Sequence, residues 1–448
     1  MDLAATRRTL LSTLILAGLS TVPGHARADF IYARLVPGAG LEPNGASTAV
    51  DVSSGGRTVV FSSDAKNWVG DTYNGTRAVA VDLDTGTVEA VSALGSTVFR
   101  GETPVVSGDG RYVAFLTVNP TYGPNWQVLR KDRQTGALEL ASANAAGQPA
   151  NVGTNDNTVS ISADGRYVAF QTDANLTSTA ERPNGASSPT GSSGGIYVKD
   201  MATGQVELAS IMSNGTSVGG CSLQPHALSG TGRYLAMLCS DAMVAGATGG
   251  QAYVRDLQAN TTELISRSAS ATNGSSAFAY RPAISPSGRF VSFQNRSYGG
   301  LGYADGAAAQ SNSGIYLRDR QANTTIAIPR PAIIPAGNYD SCAVSAVSDV
   351  ASIVFHCNYA WSGAGSYPQV FLFVPGAGAP EMLSVTPAGQ PGNSASGYTL
   401  AVNASGLSMA WESNASDIDP DDGNGKSDIF VLVDESVISD TIFANGFE

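Results

Sequence analysis

The chain has 448 residues with 25 basic and 37 acidic side chains, a net charge of −12, and 51 glycines. That acidic balance excludes a protein held on nucleic acid or on an anionic lipid surface by charge. Apolar residues make up 42% of the chain, enough for a large core, while three histidines leave few candidate catalytic bases.

Residues 1–28 read as an export signal: the pair Arg7-Arg8, an apolar stretch over 10–19, and Ala26-Arg27-Ala28 as a small-residue cleavage site. The apolar stretch is too short to span a bilayer, and no later stretch is apolar enough to do so. Thr6-Arg7-Arg8-Thr9-Leu10-Leu11 also resembles a twin-arginine signal, although the general secretory route is preferred here. Cleavage would leave 22 basic and 36 acidic residues, a net charge of −14. The expected location is periplasmic or extracellular, in a Gram-negative bacterium, with cationic partners, metal ions or neutral glycans favoured.

A unit recurs seven times through the remainder. Its clearest copies are Val106-Ser-Gly-Asp-Gly-Arg-Tyr-Val-Ala-Phe115 and Ile161-Ser-Ala-Asp-Gly-Arg-Tyr-Val-Ala-Phe170. The Gly-Arg pair stands at 56–57, 110–111, 165–166, 232–233 and 288–289, and decays to Val350-Ala351 and Gly406-Leu407. A long fixed period means one supersecondary unit stacked on copies of itself. Each copy carries four short segments, A to D. Segment B, such as Tyr112-Val-Ala-Phe115, is apolar on both parities, as in a strand covered on both faces. Segment C ends in Asp, as in Ile196-Tyr-Val-Lys-Asp200. A tight turn with Gly86, Gly136, Gly204, Asn260 or Asn323 at its left-handed position then leads to segment D. Four antiparallel strands per unit and seven units predict an all-β, seven-bladed propeller over residues 29–437, with a short tail at 438–448.

From the Asp of segment C to the Ser ending the next segment A is 29 residues at 200–229, 256–285 and 319–348. Laid backward from Ser53, this ruler puts residues 29–34 on the strand D positions held by 205–210. The seventh unit lacks a strand D of its own, so the N-terminal strand is expected to close the ring.

The block Ile-Ser-x-Asp-Gly-Arg-Tyr-Val-Ala-Phe, followed by Ile-Tyr-Val-(Lys/Arg)-Asp-x-x-Thr-Gly, resembles the WD40-like repeat of TolB-type propellers over nearly all of 29–433. In that family such blades serve as protein-binding platforms, as non-catalytic halves of peptidases and as lyase scaffolds, so the resemblance implies a fold and names no activity.

Four cysteines in an exported chain suggest two disulfides. Cys239 and Cys357 lie two residues past the apolar end of segment B, and Cys221 and Cys342 precede segment A of the same units, so Cys221 with Cys239 and Cys342 with Cys357 should face each other across one ladder. His226 and His356 fall beside segments A and B, where a packed or surface imidazole is expected. Gly191-Ser-Ser193-Gly-Gly195 matches a nucleophile-elbow pattern but sits in a Gly, Ser and Pro-rich insertion with no strand-to-helix turn, and reads as a loop.

Asp417, Asp419, Asp421 and Asp428, in the loop from B to C of unit seven, imitate a calcium loop, which needs six to eight oxygens on a tight turn. Asp422 stands where that loop needs Gly, and Asp428 is shorter than the usual Glu, so a solvated acidic turn is the alternative. The B–C loops vary in length, as expected of a ligand-binding face, and Trp68, Trp126 and Trp361 lie in or beside them. These tryptophans either stack on a ligand or fold down as hydrophobic lids. Trp411 occupies a core position. The ending Asp440-Thr-Ile-Phe-Ala-Asn-Gly-Phe-Glu448 resembles a short tail recurrent on exported proteins of some Gram-negative bacteria.

No catalytic set emerges. The expectation is a monomeric, exported binding module that meets a protein or glycan through loops at one end of its channel. The alternatives are a glycan-active enzyme of polysaccharide-lyase type and a calcium-stabilised surface scaffold.

Overall fold

The computed structural model describes residues 16–17, 30–38, 40–177, 194–216, 220–247, 250–267, 278–295, 301, 314–329, 342–357 and 367–437. Six four-stranded antiparallel sheets follow the chain in the order A-B-C-D. Blade one, for example, consists of Ser47–Val52, Thr58–Ser63, Arg77–Asp82 and Val88–Ala90. The seventh sheet takes strands A to C from Ser396–Val402, Ser408–Ser413 and Asp428–Asp434. Its strand D is Phe30–Leu35, paired antiparallel to Asp428–Asp434, so the N-terminal strand closes the ring as expected. Leu16–Ala17 add two paired residues on its outer side.

The closing register differs from the ruler by two residues. Arg34 pairs with Phe430 as Leu208 pairs with Tyr197, so Arg34 occupies the Leu208 position and not that of Ser210. The connection into blade one is two residues shorter than the three from which the ruler was taken.

Strand B is apolar on both parities because each blade packs between two neighbours. One core cluster joins Ile31, Ala33 and Leu35 of blade seven to Val59, Phe61 and Val79 of blade one; another joins Ala114 and Val128 of blade two to Phe170 and Tyr197 of blade three. Aromatic pairs such as Phe170 with Tyr197 and Phe293 with Tyr316 stack across strands B and C. The repeated glycine also follows from this packing. Gly165 has φ +69°, and a Cβ there would lie 2.2 Å from Cδ2 of Tyr112 in the preceding blade. The arginine after it grips its own blade: Arg111 and Arg166 each donate two hydrogen bonds, at 2.7–3.1 Å, to Asp132 and Asp200 at the ends of their strands C. Those guanidiniums hold the two carboxyls well below the usual range.

Strands A line the axis, and their turns into strand B are tied edge to edge. Backbone N–H groups of Gly55, Gly108, Ala163 and Gly230 donate in turn to the carbonyls of Gly108, Ala163, Gly230 and Pro286. Pro286 has no N–H with which to extend this belt. Both predicted disulfides form, Cys221 with Cys239 and Cys342 with Cys357, each joining directly opposed residues of strands A and B.

Candidate functional site

The structure offers a chamber in the central channel. Its volume is about 710 Å³, and it opens at the end where strands B lead into the B–C loops. The walls come from the innermost strands of most blades, and many are apolar: Val50, Pro104, Val105, Val159, Leu238 and Leu400. Near the mouth, Phe278 and Tyr398 are 49% and 53% exposed, large aromatic surfaces that a folded protein usually covers.

Strand A reaches into this space because it bulges. Register shifts interrupt its pairing in blades one, two, three, five, six and seven. Ala49, Thr103, His226 and Arg281 adopt positive φ at or beside the corresponding positions of blades one, two, four and five. A bulge re-aims side chains, here toward the axis. In blade four the ladder of strand A shrinks to Cys221–Ser222, with one isolated bridge further on from Leu228 to Leu235. Pro225 then removes a ladder donor, and His226 follows at φ +56°.

His226 forms the floor of the chamber. Its Nε2 donates to the carbonyl of Leu400 in blade seven at 3.1 Å, and its Nδ1 lies 3.6 Å from Oδ1 of Asp51 in blade one. Blades seven and one stand across the ring from blade four, so the imidazole spans the lumen. His226 and Asp51 also line a smaller cavity beneath, beside the A–B turns. Because Nε2–H faces a carbonyl, Nδ1 is the ring nitrogen turned toward the Asp51 carboxyl. Burial pushes the Asp51 carboxyl up, against the lowering effect of His226 and of the Val106 and Val52 N–H groups.

Three further titratable groups belong to this region. Burial raises Glu412, which accepts from the Ala49 N–H and the Thr399 hydroxyl, both at 2.9 Å. His356 is buried and lowered to about 4, first by desolvation and further by the charge of Arg281. It is a neutral imidazole donating from Nδ1 to the Gly397 carbonyl at 2.5 Å, in keeping with the packed position expected of it. Arg281 lies on the chamber wall, its pKa lowered by desolvation alone.

The acidic loop of blade seven gathers around an arginine of the closing strand. Arg34 donates from Nε to Asp419 at 2.7 Å and from Nη1 to Asp428 at 3.1 Å, with Asp422 at 3.6 Å. Its Nη2 donates to the Asp421 carbonyl at 2.9 Å and faces Glu42 at 3.4 Å. Asp417 points elsewhere and accepts the Asn393 N–H. Burial pushes the Asp428 carboxyl up to about 7 even beside Arg34. The positive charge held by Asp419 and Asp428 is therefore this guanidinium, and among the described residues no group of three or more His, Cys, Asp or Glu is arranged to hold a metal ion.

Trp68 is 4% exposed and packs edge-on against Phe61 with ring centroids 4.9 Å apart, so it is a lid and offers no stacking surface. Trp126 is half-buried beneath the guanidinium of Arg100, 4.7 Å from its ring. Trp361, the serine motif of the 191–195 stretch up to residue 193, and the 438–448 tail lie outside the described residues. Arg281, Phe278 and Tyr398 were not singled out from the sequence. The signal present was the Gln-Pro-His and Tyr-Arg-Pro interruptions of segment A, where an apolar strand is otherwise expected.

No family model and no curated protein matches the chain. Solved structures show the fold. An oligogalacturonate lyase from Vibrio parahaemolyticus aligns over 91% of this chain and 98% of its own at 11% identity, with a TM-score of 0.53. The β-propeller domain of the trilobed protease from Pyrococcus furiosus aligns over 82% and 89% at 9% identity, with a TM-score of 0.50. TolB from Acinetobacter baumannii is also among the neighbours, with 67% and 57% covered, 15% identity and a TM-score of 0.38. The chain is a seven-bladed β-propeller whose structural neighbours include TolB proteins.

Proposed function

We propose that this protein is an exported binding module that receives part of a partner in the chamber at the B–C mouth of its channel. The observation that carries this reading is the 710 Å³ chamber with exposed Phe278 and Tyr398 beside its mouth, a concave site whose surface is mostly apolar and which also presents Asp51, Gln224, His226 and Arg281. The mostly apolar surface of the walls favours a protein partner over a glycan. The two disulfides support an oxidising compartment, as the reading of residues 1–28 requires. Peptide and glycan arrays probed with the parent and with a Phe278→Ser/Tyr398→Ser double variant test this. Peptide signals lost in a variant that melts like the parent support the reading, and signals unchanged by the double substitution refute it.

A further inference from the structure

The charges around the chamber are unequally partnered. Asp51 faces His226 and accepts the Val52 and Val106 N–H groups at 2.8 and 2.9 Å. Glu412 is engaged by Ala49 and Thr399, and His356 is neutral. Arg281 differs. It is exposed on the chamber wall, and among the described residues no carboxylate pairs with it. Its backbone is held at φ +48° on the bulge of strand Ala279–Ile284, a conformation unfavourable for a side chain with a Cβ and one that clusters at ligand sites.

We propose that the chamber receives an apolar chain ending in a carboxylate, with Arg281 as the counter-ion of that carboxylate. This rests on the binding-module reading and names the chemistry of what enters. An unpaired guanidinium presents a planar fork of donors matched to a carboxylate. Around it Val50, Pro104, Val105, Val159, Leu238 and Leu400 supply apolar wall against which a hydrocarbon chain can pack. The volume falls within the span of about 300–1,000 Å³ usual for ligand sites. The C-terminal end of a peptide and a long-chain carboxylic acid share this chemistry.

Calorimetric titration of the full chain with N-acetyl-Leu-Leu-Phe as free acid and as amide, and with decanoate and decanol, tests the assignment. The expected result is an acid that binds about tenfold to a hundredfold more tightly than its neutral analogue, the loss typical of a charge-assisted hydrogen-bond pair. Arg281→Gln, with an unchanged melting point, should close that gap, and Arg281→Lys should keep part of it. Preference for the peptide acid identifies a chain terminus as the source; preference for decanoate identifies an aliphatic acid. Acid and neutral forms binding equally well overturn the role of Arg281 while leaving the chamber as a binding site. No binding by any probe, with oligogalacturonate bound instead, overturns both.

Discussion

His226 of blade four donates from Nε2 to the carbonyl of Leu400 in blade seven, 174 residues away in sequence and across the axis of the ring. This bond, with Asp51 at 3.6 Å on the other ring nitrogen, separates the upper chamber from the cavity below. His226→Ala should join the two and leave Asp51 facing an empty lumen. The Leu400 carbonyl loses its donor, a loss of about 1–3 kcal/mol for an acceptor left without a partner, to be read as a lower denaturation midpoint at pH 7.

Arg34 should be among the most sensitive positions. Arg34→Gln leaves Asp419, Asp422 and Asp428 buried without their cation, a change that costs about 3–5 kcal/mol when one partner of a buried pair is removed. The variant should melt well below the parent. If it does not, the guanidinium is not what neutralises the loop.

Gly165→Ala tests the blade interface. The new methyl would meet Tyr112 at 2.2 Å from a backbone at φ +69°. Strain and overpacking together predict a loss of about 2–4 kcal/mol. Gly136→Ala, also at positive φ but with nothing within 4 Å of its Cβ, should lose only the backbone part. Chemical denaturation of both variants separates the two causes.

Each disulfide closes a short loop, with sequence separations of 18 and 15 residues. Loop entropy gives about 3 kcal/mol for loops of this length. Cys221→Ala/Cys239→Ala should lower the melting point, and peptide mapping without reductant should recover Cys221 joined to Cys239. A Cys239 to Cys357 peptide would contradict the arrangement.

His356 predicts an acid limb. Its folded-state pKa of about 4 lies below the ordinary 6.5, so between these values the unfolded chain binds a proton that the folded chain refuses. Stability should therefore be fully present above pH 6.5 and fall as pH drops toward 4, by on the order of 3 kcal/mol from this residue. His356→Gln should flatten that limb, and an identical pH profile would show that His356 is not its source.

The Gly-Arg-Tyr blocks, the strand C aspartates and the cysteine phases were legible in the sequence because each is local or periodic. A repeat must satisfy the same turn and the same neighbour seven times, so its residue types recur at measurable spacing, and the disulfides join strands adjacent within one blade. The closing strand was legible as an element but misplaced by two residues, because its connection to blade one is shorter than the spacing used to locate it. With the observed register, a basic residue at the Leu208 position would have pointed to a buried counter-charge.

The tertiary structure alone decided what the irregular positions do. Arg34 meets Asp428 from 394 residues away and His226 meets Leu400 from 174, contacts with no local signature. Whether Asp419 faces water or a guanidinium, and whether Trp68 lies open or becomes a lid, depends on which blade closes against which. The chamber itself arises from bulges that turn one residue of strand A toward the axis. A period-two pattern cannot show on which face such a residue will fall, since one extra residue in the strand exchanges the two.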